Sequence, residues 1–275
     1  MQYRLLGRSG LQVSAISLRG WLTCSEHVDD DNSHSCFKAA YDAGINFLDC
    51  VEGYAGGESE RVIGRAIKRS GWETYDIVVS TKVRTLLING GLSRKRIIEG
   101  VNASLKRLGL EYVDLIYAHR PDRYTSMEEI VRAFNHIRAG KVERAWKPSY
   151  NMLLREKAES ESELLYKEHR LDITSFSPLK GGILTGKYVE GFRRTAGWGR
   201  PIADKLGVDQ AALALAWVPK NPNISSAITD ASKPEQVFKS VKALDLLPKL
   251  TDEVMEETEK NAFLYSGVSA CISYV

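Results

Sequence analysis

The chain has 275 residues, 43% of them hydrophobic and 27% charged, enough to bury a sizeable core without disulfides or metals. With 38 basic and 35 acidic residues, its net charge of +3 is too balanced to argue for nucleic acid or a membrane as partner. Four cysteines (Cys24, Cys36, Cys50, Cys271) show neither C-x-x-C spacing nor metal-like pairing with His, so reduced thiols and no metal site are expected. No leader-like or membrane-length apolar run occurs, and a cytoplasmic location is the expectation.

From the start, Tyr3–Val13 reads as a β-hairpin around Gly7-Arg8-Ser9-Gly10. Short apolar runs suited to buried parallel strands follow at Ile16–Leu18, Ile45–Cys50, Ile77–Val83, Val113–His119, Ile173–Leu179 and Ser225–Thr229. Helical periods lie between them. One places Ile97, Ile98, Val101, Leu105 and Leu108 on a single face, with Ser93 as cap and Gly109 as stop. A second, Met127–Arg138, turns Ile130, Val131, Phe134 and Ile137 inward. A third, Gln210–Val218, is apolar nearly all round, as befits a deeply buried helix. Val189–Pro201, rich in Gly and Arg, reads as a loop.

Strand–helix alternation along the whole chain predicts α/β architecture with parallel strands and right-handed crossovers. A doubly wound dinucleotide fold would need G-x-G-x-x-G after its first strand, and Ser17-Leu18-Arg19-Gly20-Trp21 does not supply it. A TIM-type (β/α)8 barrel with an N-terminal β-hairpin is therefore expected, as one domain spanning residues 1–275. Six strands are clear, and Val142–Trp146 is a weak seventh. Either an eighth is disguised near Pro148–Met152, or the barrel is incomplete, with one βα unit shortened or missing.

In such a barrel, function sits at the C-terminal strand ends. There the chain carries Asp49, then Tyr54 five residues on, Lys82 and His119. A Lys ending a buried strand is costly unless paired, and Asp49 is its natural partner. Reducing a carbonyl by hydride leaves an alkoxide that must be protonated as it forms. A Tyr hydroxyl is a weak acid, with a free pKa of about 10. Lys82 is expected to lower that value, Asp49 to hold Lys82, and His119 to orient the carbonyl oxygen.

These blocks, Phe47-Leu48-Asp49-Cys50-Val51-Glu52-Gly53-Tyr54, Gly57-Glu58-Ser59-Glu60, Ser80-Thr81-Lys82 and His119-Arg120-Pro121-Asp122, resemble the signature blocks of aldo-keto reductases. The nearest look is to the branch containing fungal aryl-alcohol dehydrogenases and voltage-gated potassium-channel β-subunits. The resemblance implies NADPH-dependent reduction of an aldehyde or ketone, with Tyr54 as proton donor, Lys82 and Asp49 as its tuners and His119 as orienter. It also implies that Tyr150 stacks under the nicotinamide and that the run Ser177, Pro178, Leu179, Gly181, Lys187 is a pyrophosphate loop. Ser232 and Gln236 match the adenosine-binding block.

Several positions depart from the family pattern, mostly on the cofactor side. Gly140–Asn151 jumps across about one strand–helix unit, and Lys147 stands where a Gln is usual. The segment after Tyr188 is short, leaving Arg193 or Arg194 as stand-ins for a 2′-phosphate contact. Asp230 replaces a Gly, Lys239 and Ser240 replace an acid and an amide, and Arg19 intrudes in the first strand. With the cofactor side altered and Asp49, Tyr54, Lys82 and His119 intact, two alternatives stand beside the reductase. One is a cofactor-free lyase or isomerase using the same Tyr-Lys-His group; the other is a non-catalytic regulatory or binding subunit. The small-molecule substrate within the carbonyl class and the oligomeric state are left open.

Overall fold

A computed structural model describes residues 1–24, 29–83, 91–138, 147–187 and 199–265. The chain divides into two compact units. The first comprises Met1–Ile16, Trp146–Thr229 and Lys239–Val275; the second comprises Ser17–Ala145 and Asp230–Phe238.

In the second unit four parallel strands lie in the order β6-β5-β4-β3: β3 (Ile16–Arg19), β4 (Phe47–Asp49), β5 (Val78–Val83) and β6 (Leu115–Ala118). β4, β5 and β6 fall within the expected apolar runs, trimmed at their ends, and β3 runs one residue past its own, to Arg19. β5 is buried at every position, as a strand covered on both faces must be. Its register sets Asp49 beside Ser80, and Lys82 beside Tyr117.

The helices of this unit are α1 (Gly20–Thr23), α2 (Asp30–Asp42), α3 (Glu58–Ser70), α4 (Arg94–Leu108) and α5 (Met127–Arg138). Their ends follow local chemistry. Asp29 caps α2 by accepting the Asn32 N–H at 2.7 Å, and Ser93 caps α4 through the Arg96 N–H. Gly109, with φ 65°, ends α4 in the left-handed conformation that costs glycine least. Ile97, Val101 and Leu108 are buried as expected, with Ile98 and Leu105 half-buried at the flanks. In α5 the inward face is corrected: Val131 is 44% exposed, while Ile130 and Ala133 are buried. Ile130 and Ala133 are three apart and share a stripe, from which Val131 is turned by about 100°.

In the first unit, β1 (Tyr3–Leu5) and β2 (Gln12–Ser14) form the predicted antiparallel hairpin. Arg4 fastens it by donating to the carbonyls of Pro219 and Ile224 at 2.5 and 2.7 Å. β7 (Ile173–Phe176) and β8 (Ile224–Thr229) pair in parallel. Beside β7, Ser149 makes a single parallel bridge to Phe176, bracketed by Tyr150 N–H and Phe176 N–H bonds. The strand disguised near Pro148–Met152 is this one-residue bridge. Val142–Trp146 lies outside the described residues. The helix Gln210–Trp217 is capped by Asp209 and buries Leu213, Ala214, Leu215 and Trp217, matching its apolar sequence.

Candidate active site

Parallel register builds the centre of the second unit. Because Asp49 is level with Ser80, and Lys82 is two residues further along β5, both side chains reach the same carboxylate. Ser80 Oγ donates to Asp49 Oδ1 at 2.5 Å, and Lys82 Nζ donates to Asp49 Oδ2 at 2.6 Å. A further Lys82 hydrogen bond goes to the Cys50 carbonyl at 2.8 Å. The Lys82 side chain is 4% exposed and that of Asp49 is fully buried. Such a pair is poor value as a stabiliser, since desolvation cancels much of its attraction, so its placement asks for a chemical reason.

Tyr54 supplies one. It opens a tight turn, Tyr54–Gly57, in which Ala55, Gly56 and Gly57 all have positive φ, immediately before α3, and is 8% exposed. Lys82 Nζ lies 5.7 Å from its ring centroid. The His119 ring stands edge-on to it at 6.1 Å, and the Trp21 ring edge-on at 4.6 Å. The structure thus brings Asp49, Tyr54, Lys82 and His119 together in one unit.

One expectation is corrected. The Tyr54 hydroxyl is held above its usual pKa, not below it: burial raises it more than the charges of Lys82 and Arg19 lower it. Tyr54 is therefore a neutral phenol at physiological pH.

Sequence reading missed the frame that holds the Tyr54 turn. Arg107 of α4 bonds Glu60 of α3 through Nε at 2.5 Å and approaches Glu52 at 3.9 Å, on either side of Tyr54. Arg96 takes the other side of Glu52 at 2.5 Å. Glu60 is fully buried and also accepts the Thr81 hydroxyl. Gly57, at φ 91°, lets Arg107 pass where a Cβ would lie 2.7 Å from its side chain. The Gly57–Glu60 block was visible, but only the fold could give Glu60 a partner 47 residues away.

Two departures resolve as one feature. Arg19 forks onto Asp230, with Nε 3.1 and 3.2 Å from the two carboxylate oxygens and Nη2 closer still. The guanidinium is held above its usual pKa: burial opposes the charge, and Asp230 outweighs burial. Nearby, Gln236 Oε1 accepts from Ser232 N, Ser232 Oγ and Lys233 N at 2.7, 3.2 and 3.3 Å.

The remaining expected cofactor residues lie in the first unit. Ser177, Lys180, Gly181, Gly182 and Gly186 all have positive φ, so the Ser177–Lys187 segment turns repeatedly through the left-handed region. Within it the Lys180 N–H donates to the Ser177 carbonyl, and the Gly182 and Leu184 N–H groups donate to the Leu179 carbonyl, so the segment is a series of tight turns. Pro178 is buried, Leu179 half-buried and Lys187 exposed. Tyr150, expected beneath a nicotinamide, is 1% exposed. Its ring lies 5.0 Å from Trp217, while its hydroxyl donates to Glu159 at 2.8 Å and accepts from Asn221 at 3.1 Å. Arg193 and Arg194 lie outside the described residues. Among those described, no cluster of His, Cys, Asp and Glu could hold a metal, and no helix is long and apolar enough to cross a membrane.

The profile of the aldo/keto reductase family matches residues 16–146 and again 144–262. The chain belongs to the aldo/keto reductase family. This is a family of oxidoreductases built on the TIM barrel, and the parallel strands, their helices and the hairpin fit an incomplete barrel of that kind. Similar relatives include a probable voltage-gated potassium channel subunit beta from Oryza sativa subsp. japonica, 39% identical over 94% of this chain and 96% of the relative. A protein of the same description from Arabidopsis thaliana is 38% identical over 94% and 96%. A putative channel subunit beta from Schizosaccharomyces pombe is 42% identical over 94% and 92%. The rice alignment spans 318 positions, and 94% of 275 residues is about 259, so about 59 positions face a gap in this aldo/keto reductase. The profile also breaks at 144–146, where the sequence jumps across a strand–helix unit.

Proposed function

We propose that this aldo/keto reductase reduces an aldehyde or ketone to an alcohol with NADPH, as one domain of residues 1–275 acting in the cytoplasm on a small uncharged carbonyl. The observation that carries the reading is the buried Lys82–Asp49 pair set against the ring of a neutral, 8% exposed Tyr54. Tyr54, protonated at neutral pH, gives its proton to the carbonyl oxygen. Lys82 stabilises the phenolate that remains, and Asp49 with the Cys50 carbonyl keeps the ammonium in place. His119 holds the carbonyl oxygen toward Tyr54.

NADPH, when bound, supplies the hydride. The Ser177–Lys187 segment would lie along the pyrophosphate, with the exposed Lys187 against its charge. Ser232 and Gln236 would turn from each other toward the adenosine. Tyr150 is left with a core role.

The test is Tyr54→Phe, which keeps the ring and removes the proton. NADPH-dependent reduction of 4-nitrobenzaldehyde should fall by about 10²–10⁴-fold with an unchanged thermal midpoint; retained turnover would sink the assignment.

The descriptions of the three relatives favour a second reading, a channel-associated subunit. Titration with NADPH, followed by quenching of the chain's Trp fluorescence, separates the two. Micromolar binding with turnover supports the reductase, whereas no binding at millimolar cofactor leaves the docking role.

A further inference from the structure

The turn from Arg19 to Leu22 is built around an aspartate from elsewhere in the chain. Arg19 occupies the N-cap position of α1 with extended backbone (φ −109°, ψ 145°) and has no side-chain acceptor to offer. Asp230 supplies what it lacks. One carboxylate oxygen accepts the Leu22 N–H at 3.2 Å, the bond an N-cap Asp would make to the third helical residue, and both oxygens take the Arg19 fork. One carboxylate therefore grips both ends of Arg19-Gly20-Trp21-Leu22. The residue after it continues the grip: Thr23 Oγ1 donates to the Ala231 carbonyl at 2.8 Å and accepts from Ala231 N–H at 3.3 Å.

Between the gripped ends, Trp21 is 52% exposed yet its ring meets Tyr54 at 4.6 Å, with an interplanar angle of 78°. Gly20 makes the approach possible, because a Cβ there would lie 2.3 Å from Ser59 Oγ in α3. A half-exposed Trp on a four-residue helix has too little burial to fix its own place.

We infer that Arg19 and Asp230 are positioning residues that hold Trp21 against Tyr54, so that the phenol ring is fixed from the Trp21 side. The inference rests on the reductase reading for its catalytic consequence, though not for the contact itself. A carboxylate at 230 and a guanidinium at 19 are each costly alone. Together they form a charge-neutral clasp whose two hydrogen-bonding edges match.

The experiment uses the full chain labelled with 5-fluorotryptophan. In the ¹⁹F spectrum the Trp21 signal is the one lost in Trp21→Phe, and Tyr54→Leu gives its position without the phenol. Asp230→Ala should move the Trp21 signal to that position. Asp230→Asn, which keeps one acceptor oxygen and loses the other with the charge, should move it less far than Asp230→Ala does. In parallel, NADPH-dependent reduction of 4-nitrobenzaldehyde by Asp230→Ala should lose about tenfold in kcat with KM within about twofold, and Asp230→Asn should recover part of it. A folded Asp230→Ala with an unmoved Trp21 signal overturns the inference. If Asp230→Ala does not fold, Arg19→Met decides in its place, since it breaks the clasp while leaving the Leu22 cap. A moved signal with unchanged kcat overturns the catalytic consequence. A wild-type protein with no turnover overturns the reductase reading, and the spectrum still decides the contact.

Discussion

The two units hold their polar groups in opposite ways. In the second, charged groups bury in closed pairs: Lys82 on Asp49, Arg107 on Glu60, Arg19 on Asp230, all converging on the Tyr54 turn. In the first, the candidate phosphate segment is bare backbone, a run of left-handed residues from Ser177 to Gly186 with its lysine exposed. Side-chain pairs join residues distant in the chain, whereas this segment holds its turns through backbone bonds between near neighbours, such as Lys180 N–H to the Ser177 carbonyl. The contrast teaches that Asp49, Tyr54, Lys82 and His119, the proposed acid–base group, lie together within one unit. Those four residues are present although about 59 positions of the alignment with the rice relative face a gap in this chain.

The sharpest way to break that contrast is Lys82→Met. It strands Asp49 at zero exposure, so urea denaturation should show a loss of about 3–5 kcal/mol, with carbonyl reduction down by about 10² or more. A stable, active variant would mean that the pair serves neither purpose. Arg107→Ala comes next. The buried Glu60 loses the guanidinium it is paired with, and the chain should weaken by about 3 kcal/mol with a smaller fall in turnover, because Tyr54 is touched only through its flanks.

Alkaline pH separates the units without mutation. Burial pushes the Cys24 thiol from 9.0 up to about 12 and the Cys36 thiol up to about 11, both in the second unit. In the first unit burial pushes Tyr166 from 10.0 to about 12. A raised folded value favours the protonated, folded form, so this stability is full below the unfolded values and is lost as pH rises toward the folded ones. The thermal midpoint should therefore hold to about pH 9 and then decline toward pH 12. Cys24→Ala should flatten the start of that decline. The smallest effect belongs to Lys38→Ala: its bridge to Asp42 is more than half exposed on both sides, and stability should change by no more than about 0.5 kcal/mol.

Much of the fold was legible because period and punctuation are local. Buried strands read as apolar runs, and Ser93 and Gly109 bracket α4 as their chemistry demands. The strand at Ser149 was faint because one bridge leaves no periodic signal. Asp49, Tyr54, Lys82 and His119 were readable because strand ends are local features and their order along the chain repeats the order of the strands. Arg19 and Asp230 were each visible as oddities, yet 211 residues separate them and nothing local joins them. Tyr150 resembled a stacking ring in sequence but packs against Trp217, a neighbour set by tertiary contact.

The sequence by itself determined the alternation of strands and helices, the hairpin, and the residue types gathered at the strand ends. Those depend on backbone periodicity and on chemistry within a few residues. Only the tertiary structure decided which charges neutralise each other and what environment each side chain occupies. Burial and Coulomb terms at Tyr54 oppose one another, and their balance, a phenol kept neutral with Lys82 beside it, depends on distances and solvent exclusion that no run of letters contains.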